Sequence, residues 1–73
     1  MPEIEQVTIR DETIRLGQLL KLANLADDRI QAKEFIENGL VKVDGQIESR
    51  RGAQIRPGSV VTVNGQSVQI SAH

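Results

Sequence analysis

The chain has 73 residues, no cysteine, one histidine and a formal net charge of −1. That length supports one small core, the missing cysteines exclude disulfides and thiolate metal sites, and Phe35, the only aromatic residue, leaves no set of exposed rings on which bases could stack. No apolar run approaches the roughly 18 residues of a membrane span, and the opening MPEIEQ lacks the basic and then apolar regions of a signal peptide, so a cytoplasmic protein with no membrane partner is expected.

Charge is unevenly distributed along the chain. Residues 1–12 carry Glu3, Glu5, Asp11 and Glu12 against Arg10, a balance of −3, whereas residues 13–73 carry eight cations against six carboxylates, a balance of +2. The overall sign therefore says little about local potential. Within the acidic segment, QVTIR alternates well enough to predict a weak first strand.

Next comes LGQLLKLANLA, where Leu16, Leu19, Leu20 and Ala23 fall at i, i+3, i+4 and i+7 and predict one apolar helical face. Asp28 followed by Gln31 predicts the capped start of a second helix, with Ala32, Phe35 and Ile36 as its buried stripe. Asn38 and Gly39 supply the stop, since glycine tolerates the left-handed backbone just past a helix.

Beyond Gly39, glycines recur every six or seven residues, at Gly45, Gly52, Gly58 and Gly65, which is the beat of short strands joined by tight turns. The predicted architecture is α+β: two N-terminal helices packed on a small twisted antiparallel sheet or β-meander. Side-chain parity sets the expected registers. At Asp44-Gly45 a three-residue loop pairs Val43 with Ile47 and Lys42 with Glu48, with Gly45 left-handed. At Asn64-Gly65 a two-residue loop pairs Val61 with Val68 and puts Val63 and Ile70 on one face. Uncharged QSVQI, Gln66 to Ile70, reads as an exposed edge strand open to pairing with another chain.

Catalysis finds little support. The lone histidine, His73, is the last residue, and no nucleophile–base pair is evident. Asp27-Asp28 reads as helix capping rather than a Mg²⁺ site, and the glycines match neither a dinucleotide fingerprint nor a P-loop. No cofactor, metal or small-molecule substrate is expected. The basic residues form the better constellation. Arg29 and Lys33 stand at i, i+4 on one face of the second helix, against the plainer alternative of a solvated face with Lys33 paired to Glu37. Arg50 and Arg51, adjacent before Gly52, repel one another and gain little for folding, and Arg56 precedes the Pro57-Gly58 turn. Guanidinium forks suit bidentate contact with phosphate oxygens.

The run IRLGQLLKLANLADDRIQAKEFIENGLVKVDGQIESRRGAQIRPGSVVTV, Ile14 to Val63, resembles the S-four-type RNA-binding domain. The matching elements are Arg15-Leu16 opening the first helix, Arg29 with Ala32, Ile36, and Gly39, Val41, Val43 and Asp44-Gly45 ahead of the basic segment. With its tail GQSVQISAH the whole chain looks most like the short stand-alone YbcJ-like members of that superfamily. The resemblance implies a single domain over 1–73, with an acidic N-terminal strand or extension (1–12), a core motif (14–63) and a last strand and tail (64–73). It implies an RNA-facing surface that gathers Arg29, Lys33, Arg50 and Arg51, with Arg15, Lys21, Lys42 and Arg56 as secondary candidates. Asp28, Asp44 and Ser59 depart from the residues common in the superfamily, and Asp28 sets a negative charge beside the proposed surface.

Without aromatic platforms the expected mode is recognition of backbone and shape in structured RNA, ribosomal or transfer. A ribosomal subunit or an RNA-modifying enzyme is the expected larger partner, and the expected state is a monomer. The competing reading is a protein-interaction adaptor of the ribosome or of an RNA-processing complex, with little RNA affinity of its own.

Overall fold

A computed structural model describes residues 4–72. Two strands come first, β1 (Glu5–Ile9) and β2 (Ile14–Arg15), followed by the helices α1 (Leu16–Leu22) and α2 (Arg29–Glu37). The remaining strands are β3 (Val41–Val43), β4 (Gln46–Ile47), β5 (Gln54–Ile55), β6 (Val60–Val63) and β7 (Gln66–Ala72). The class is α+β, but strands precede the helices, which are therefore not N-terminal as the sequence suggested.

Both helices end in the same way. The N–H of Asn24, with φ 58°, donates to Lys21 and that of Leu25 to Leu20, closing α1. At the end of α2 the N–H of Gly39, φ 72°, donates to Ile36 and that of Leu40 to Phe35. These paired bonds satisfy the last carbonyls, and they need a residue that tolerates the left-handed region, which asparagine and glycine do. Asp28 caps α2, its Oδ1 accepting from the Gln31 N–H at 2.8 Å, while Gln31 Oε1 reaches back to the Asp27 N–H.

The main sheet has the order β1-β7-β6-β3-β4, and a separate two-stranded ladder joins β2 to β5. β6–β7 keeps the expected register, Val61 opposite Val68 across a two-residue Asn64-Gly65 loop, and Val63 and Ile70 are both buried. Three expectations fail. β1 pairs with β7 in parallel, so the sheet is mixed rather than antiparallel. β7 is consequently interior, lying between β1 and β6, and is no exposed edge.

The β3–β4 hairpin also has a shorter loop than expected, pairing Lys42 with Ile47 and Val43 with Gln46. The expected register puts Ile47 on the core face with Val43. β4 is the sheet's edge and leaves Ile47 62% exposed, so no burial opposes the pairing. Asp44 (φ 53°) and Gly45 (φ 85°) both take the positive angles that a two-residue hairpin loop requires. The loop is pinned to β6 from both directions: the Asp44 N–H donates to the Val60 carbonyl at 2.8 Å, and the Val60 N–H donates to Asp44 Oδ1 at 2.9 Å.

One aliphatic cluster joins the layers. Leu16, Leu19 and Leu20 of α1 and Ala32 and Ile36 of α2 pack against Val41, Val61, Val63, Val68 and Ile70 of the sheet, with Ile9 and Ile55 closing the ends. No charged or polar residue is buried among the described residues. Burying a leucine-sized side chain contributes roughly 1.5–3 kcal/mol, so these few side chains decide whether the chain folds. Alternation along β3 turns Val41 into the core and leaves Lys42 on the opposite, outer face of the sheet.

Candidate nucleic-acid interface

At the start of α1 the first backbone N–H groups have no intrahelical partner. Arg15, in extended conformation at the cap position, supplies no side-chain cap. The segment after β4 does so instead: the Leu16 N–H donates to the Ala53 carbonyl at 2.9 Å and the Gly17 N–H to the Arg51 carbonyl at 3.1 Å. The arginine-rich loop is thereby fastened to the helix, while the Arg15–Gln54 pair of β2 and β5 fixes its other flank.

This fastening builds an open concavity of about 1140 Å³ between the exposed side of α1, the beginning of α2, the Arg51-Gly52 loop and the β1–β2 connection. Gln18, Lys21 and Leu22 face it from α1 at the i, i+3, i+4 positions that the buried leucines leave free. Arg29, the first residue of α2, faces it across the helix corner. Arg10 and Arg15 line it from the β1–β2 side and Arg51 from the loop. Five cations thus meet around one carboxylate, Asp11. The rest of the chain keeps four cations against nine carboxylates.

Among the described residues none of the five is in an ion pair; the pair present joins Arg50 to Glu48. Glu48 accepts from Arg50 Nε at 3.0 Å, from Nη2 at 3.4 Å and from the Arg50 backbone N–H at 3.0 Å. The side-chain bond from Arg50, then the backbone bond, holds the Glu48 carboxyl below its ordinary value, and the same side-chain bond raises Arg50.

The sequence-derived candidates therefore divide. Arg15, Lys21, Arg29 and Arg51 converge. Lys33 continues the Arg29 row one turn along α2, outside the concavity, and no Lys33–Glu37 ion pair forms among the described residues. Arg50 is engaged by Glu48, and Lys42 projects from the outer sheet face. Arg56 lies with Glu12, Thr13, Gln54 and Pro57 in a smaller adjoining depression. The concavity thus brings Arg29 and Arg51 together with Arg15 and Lys21, while Lys33 and Arg50 lie beside it on the same helix and loop. Arg10 escaped notice because it sits in a stretch with net negative charge; its position at the end of a strand, just before a turn, was the available signal. His73 lies outside the described residues.

Among the described residues no helix is long and apolar enough to cross a membrane, and no cluster of three His, Asp or Glu side chains could hold a metal ion.

Comparison with known proteins places the molecule. The family model described as the S4 domain matches residues 7–71, and the chain belongs to that family. It is 42% identical over 59 residues to YbcJ of Escherichia coli (strain K12), covering 81% of this chain and 84% of YbcJ. It is 37% identical over 59 residues to the Bacillus subtilis (strain 168) protein named "Probable ribosome maturation protein RlbA", covering 81% and 83% of the two chains. A solution structure of YbcJ from E. coli, described as revealing an ALFAL motif involved in RNA-binding, superposes with a TM-score of 0.75 at 36% identity over 99% of this chain and 92% of that one.

Proposed function

We propose that this protein binds structured RNA, ribosomal or transfer, reading its backbone and shape through the cationic concavity. The carrying observation is the convergence of Arg10, Arg15, Lys21, Arg29 and Arg51 on one surface of a chain whose net charge is −1. Cations held this close gain nothing from each other, and a polyanion relieves their repulsion. Arginine forks at three sides of an open groove suit phosphates on a curved or folded backbone, and the only aromatic side chain, Phe35, is half-buried against the core and offers no platform for splayed bases. The YbcJ structure's RNA-binding description and RlbA's name support RNA as the ligand and ribosome maturation as the setting.

The test is affinity against salt. Five phosphate contacts give a slope of log K on log salt of about −3.5 to −4.5, and a slope near zero refutes the electrostatic reading. The adaptor reading draws on Ile30 and Ile47, 69% and 62% exposed, as apolar contacts for a protein. Substituting both with serine leaves RNA affinity intact on the proposal and disrupts the partner complex on the rival.

A further inference from the structure

α1 contains one glycine, and its backbone does not explain it. Gly17 is the second residue of the helix, outside the positive-φ residues of the chain, and its N–H bond to the Arg51 carbonyl is one any residue could make. Alanine is the better helix former there. The surroundings do explain it. A Cβ at position 17 would stand 3.0 Å from Arg51 Cγ, 3.6 Å from the Arg51 carbonyl oxygen and 3.8 Å from Arg51 Cδ. The aliphatic stem of Arg51 thus crosses the helix where glycine leaves room.

From this contact we infer that Gly17 is a positioning residue for Arg51: its missing side chain is the seat that aims the Arg51 guanidinium into the concavity opposite Arg29. This rests on the RNA-binding reading and adds to it the means by which one contact is pre-organised. The Arg51 carbonyl accepts from the Gly17 N–H and the Arg50 N–H donates to Glu48, so the loop backbone is bonded on both sides of the Arg51 stem. The nearest atom is the side-chain Cγ, so an added methyl group displaces the Arg51 stem by a few tenths of an ångström. The guanidinium carbon lies three bonds beyond Cγ, and any rotation relieving the clash is amplified there. An exposed arginine otherwise spends its rotamer entropy on binding, and a groove that fixes its stem lowers that cost.

The experiment is a double-mutant cycle with bulk ribosomal RNA and bulk transfer RNA as probes. Affinities of the full chain, Gly17→Ala, Arg51→Ala and the double variant are measured beside their melting temperatures. Gly17→Ala is expected to weaken binding roughly three- to eight-fold, up to the loss of a whole phosphate contact, with an unchanged or higher melting temperature. In the Arg51→Ala background it is expected to change nothing. If Gly17→Ala binds as tightly as the parent while Arg51→Ala is weakened, the positioning role is overturned and the RNA site survives. If Arg51→Ala has no effect, the site assignment of Arg51 falls as well. A readout independent of the variants is the nuclear Overhauser contact between Gly17 Hα and the Arg51 Hγ and Hδ protons in the unaltered protein; its absence overturns the inference even if Gly17→Ala fails to fold.

Discussion

Arg50 and Arg51 are adjacent and chemically identical, yet they are expected to behave differently when each is replaced by alanine. Arg51 is one of five cations in the concavity, whereas Arg50 lies outside it, bound to Glu48. Each phosphate contact contributes about 0.7–0.9 to the salt slope. At 0.1 M salt, one logarithmic unit below the 1 M reference, losing one contact lowers affinity about five- to eight-fold, or about 1 kcal/mol. At 0.3 M the same loss shrinks to about two- to three-fold. Arg50→Ala is expected to stay within about two-fold at both concentrations, as befits an exposed ion pair of small net worth. Fluorescence anisotropy with an end-labelled ribosomal RNA fragment at the two salt concentrations measures all four values. Equal losses for the two arginines, or a larger loss for Arg50, would refute the division that the geometry makes between them.

Ile36 has no exposed surface and ties α2 to the sheet. Ile36→Ala is expected to cost about 2–5 kcal/mol, against the about 3–5 kcal/mol that a core of this size supplies, so circular dichroism should show a melting midpoint lowered by at least about 10 °C; a drop under about 4 °C would mean that α2 is not held as described. For Glu48 the sign is that of a depressed carboxylate. The Arg50 pair is intact above the ordinary value of 4.5 and is lost as pH falls through the lower folded value. A carboxyl-detected NMR titration should place the Glu48 midpoint below 4.5, and a midpoint at or above it would mean that the pair does not form in solution.

What could be read from the sequence follows how local each signal is. The aliphatic spacing of Leu16, Leu19 and Leu20 and the Asp28 and Gly39 boundaries concern residues within two turns of one another, and the helices appear where those signals put them. Asn64-Gly65 joins strands that both bury a face, so parity fixes the register. At Asp44-Gly45 the same reasoning failed because an edge strand puts no burial demand on Ile47. The parallel β1–β7 pair brings together the two ends of the sequence, and no turn chemistry marks such a contact.

The site shows the same division. Arg29 and Arg51 were evident as cations, but that Arg15 and Lys21 line the same concavity was not, because it follows from the bonding of the loop to the start of α1. That Lys42 faces away from the core was legible in the sequence, since it alternates with Val41 and Val43. Gly17 could have been singled out as a glycine in a leucine-rich helix with no turn to make, although only the tertiary fold brings Arg51 across it.

Amide chemical-shift mapping of the RNA complex bears most directly on the cationic concavity as the binding surface. Titration with a folded ribosomal RNA fragment should perturb Arg10, Arg15, Gly17, Lys21, Arg29, Arg51 and Gly52 while leaving Lys42, Thr62, Ser67 and Gln69 on the outer sheet face unmoved. Perturbations confined to that outer face, with the concavity silent, would contradict the account.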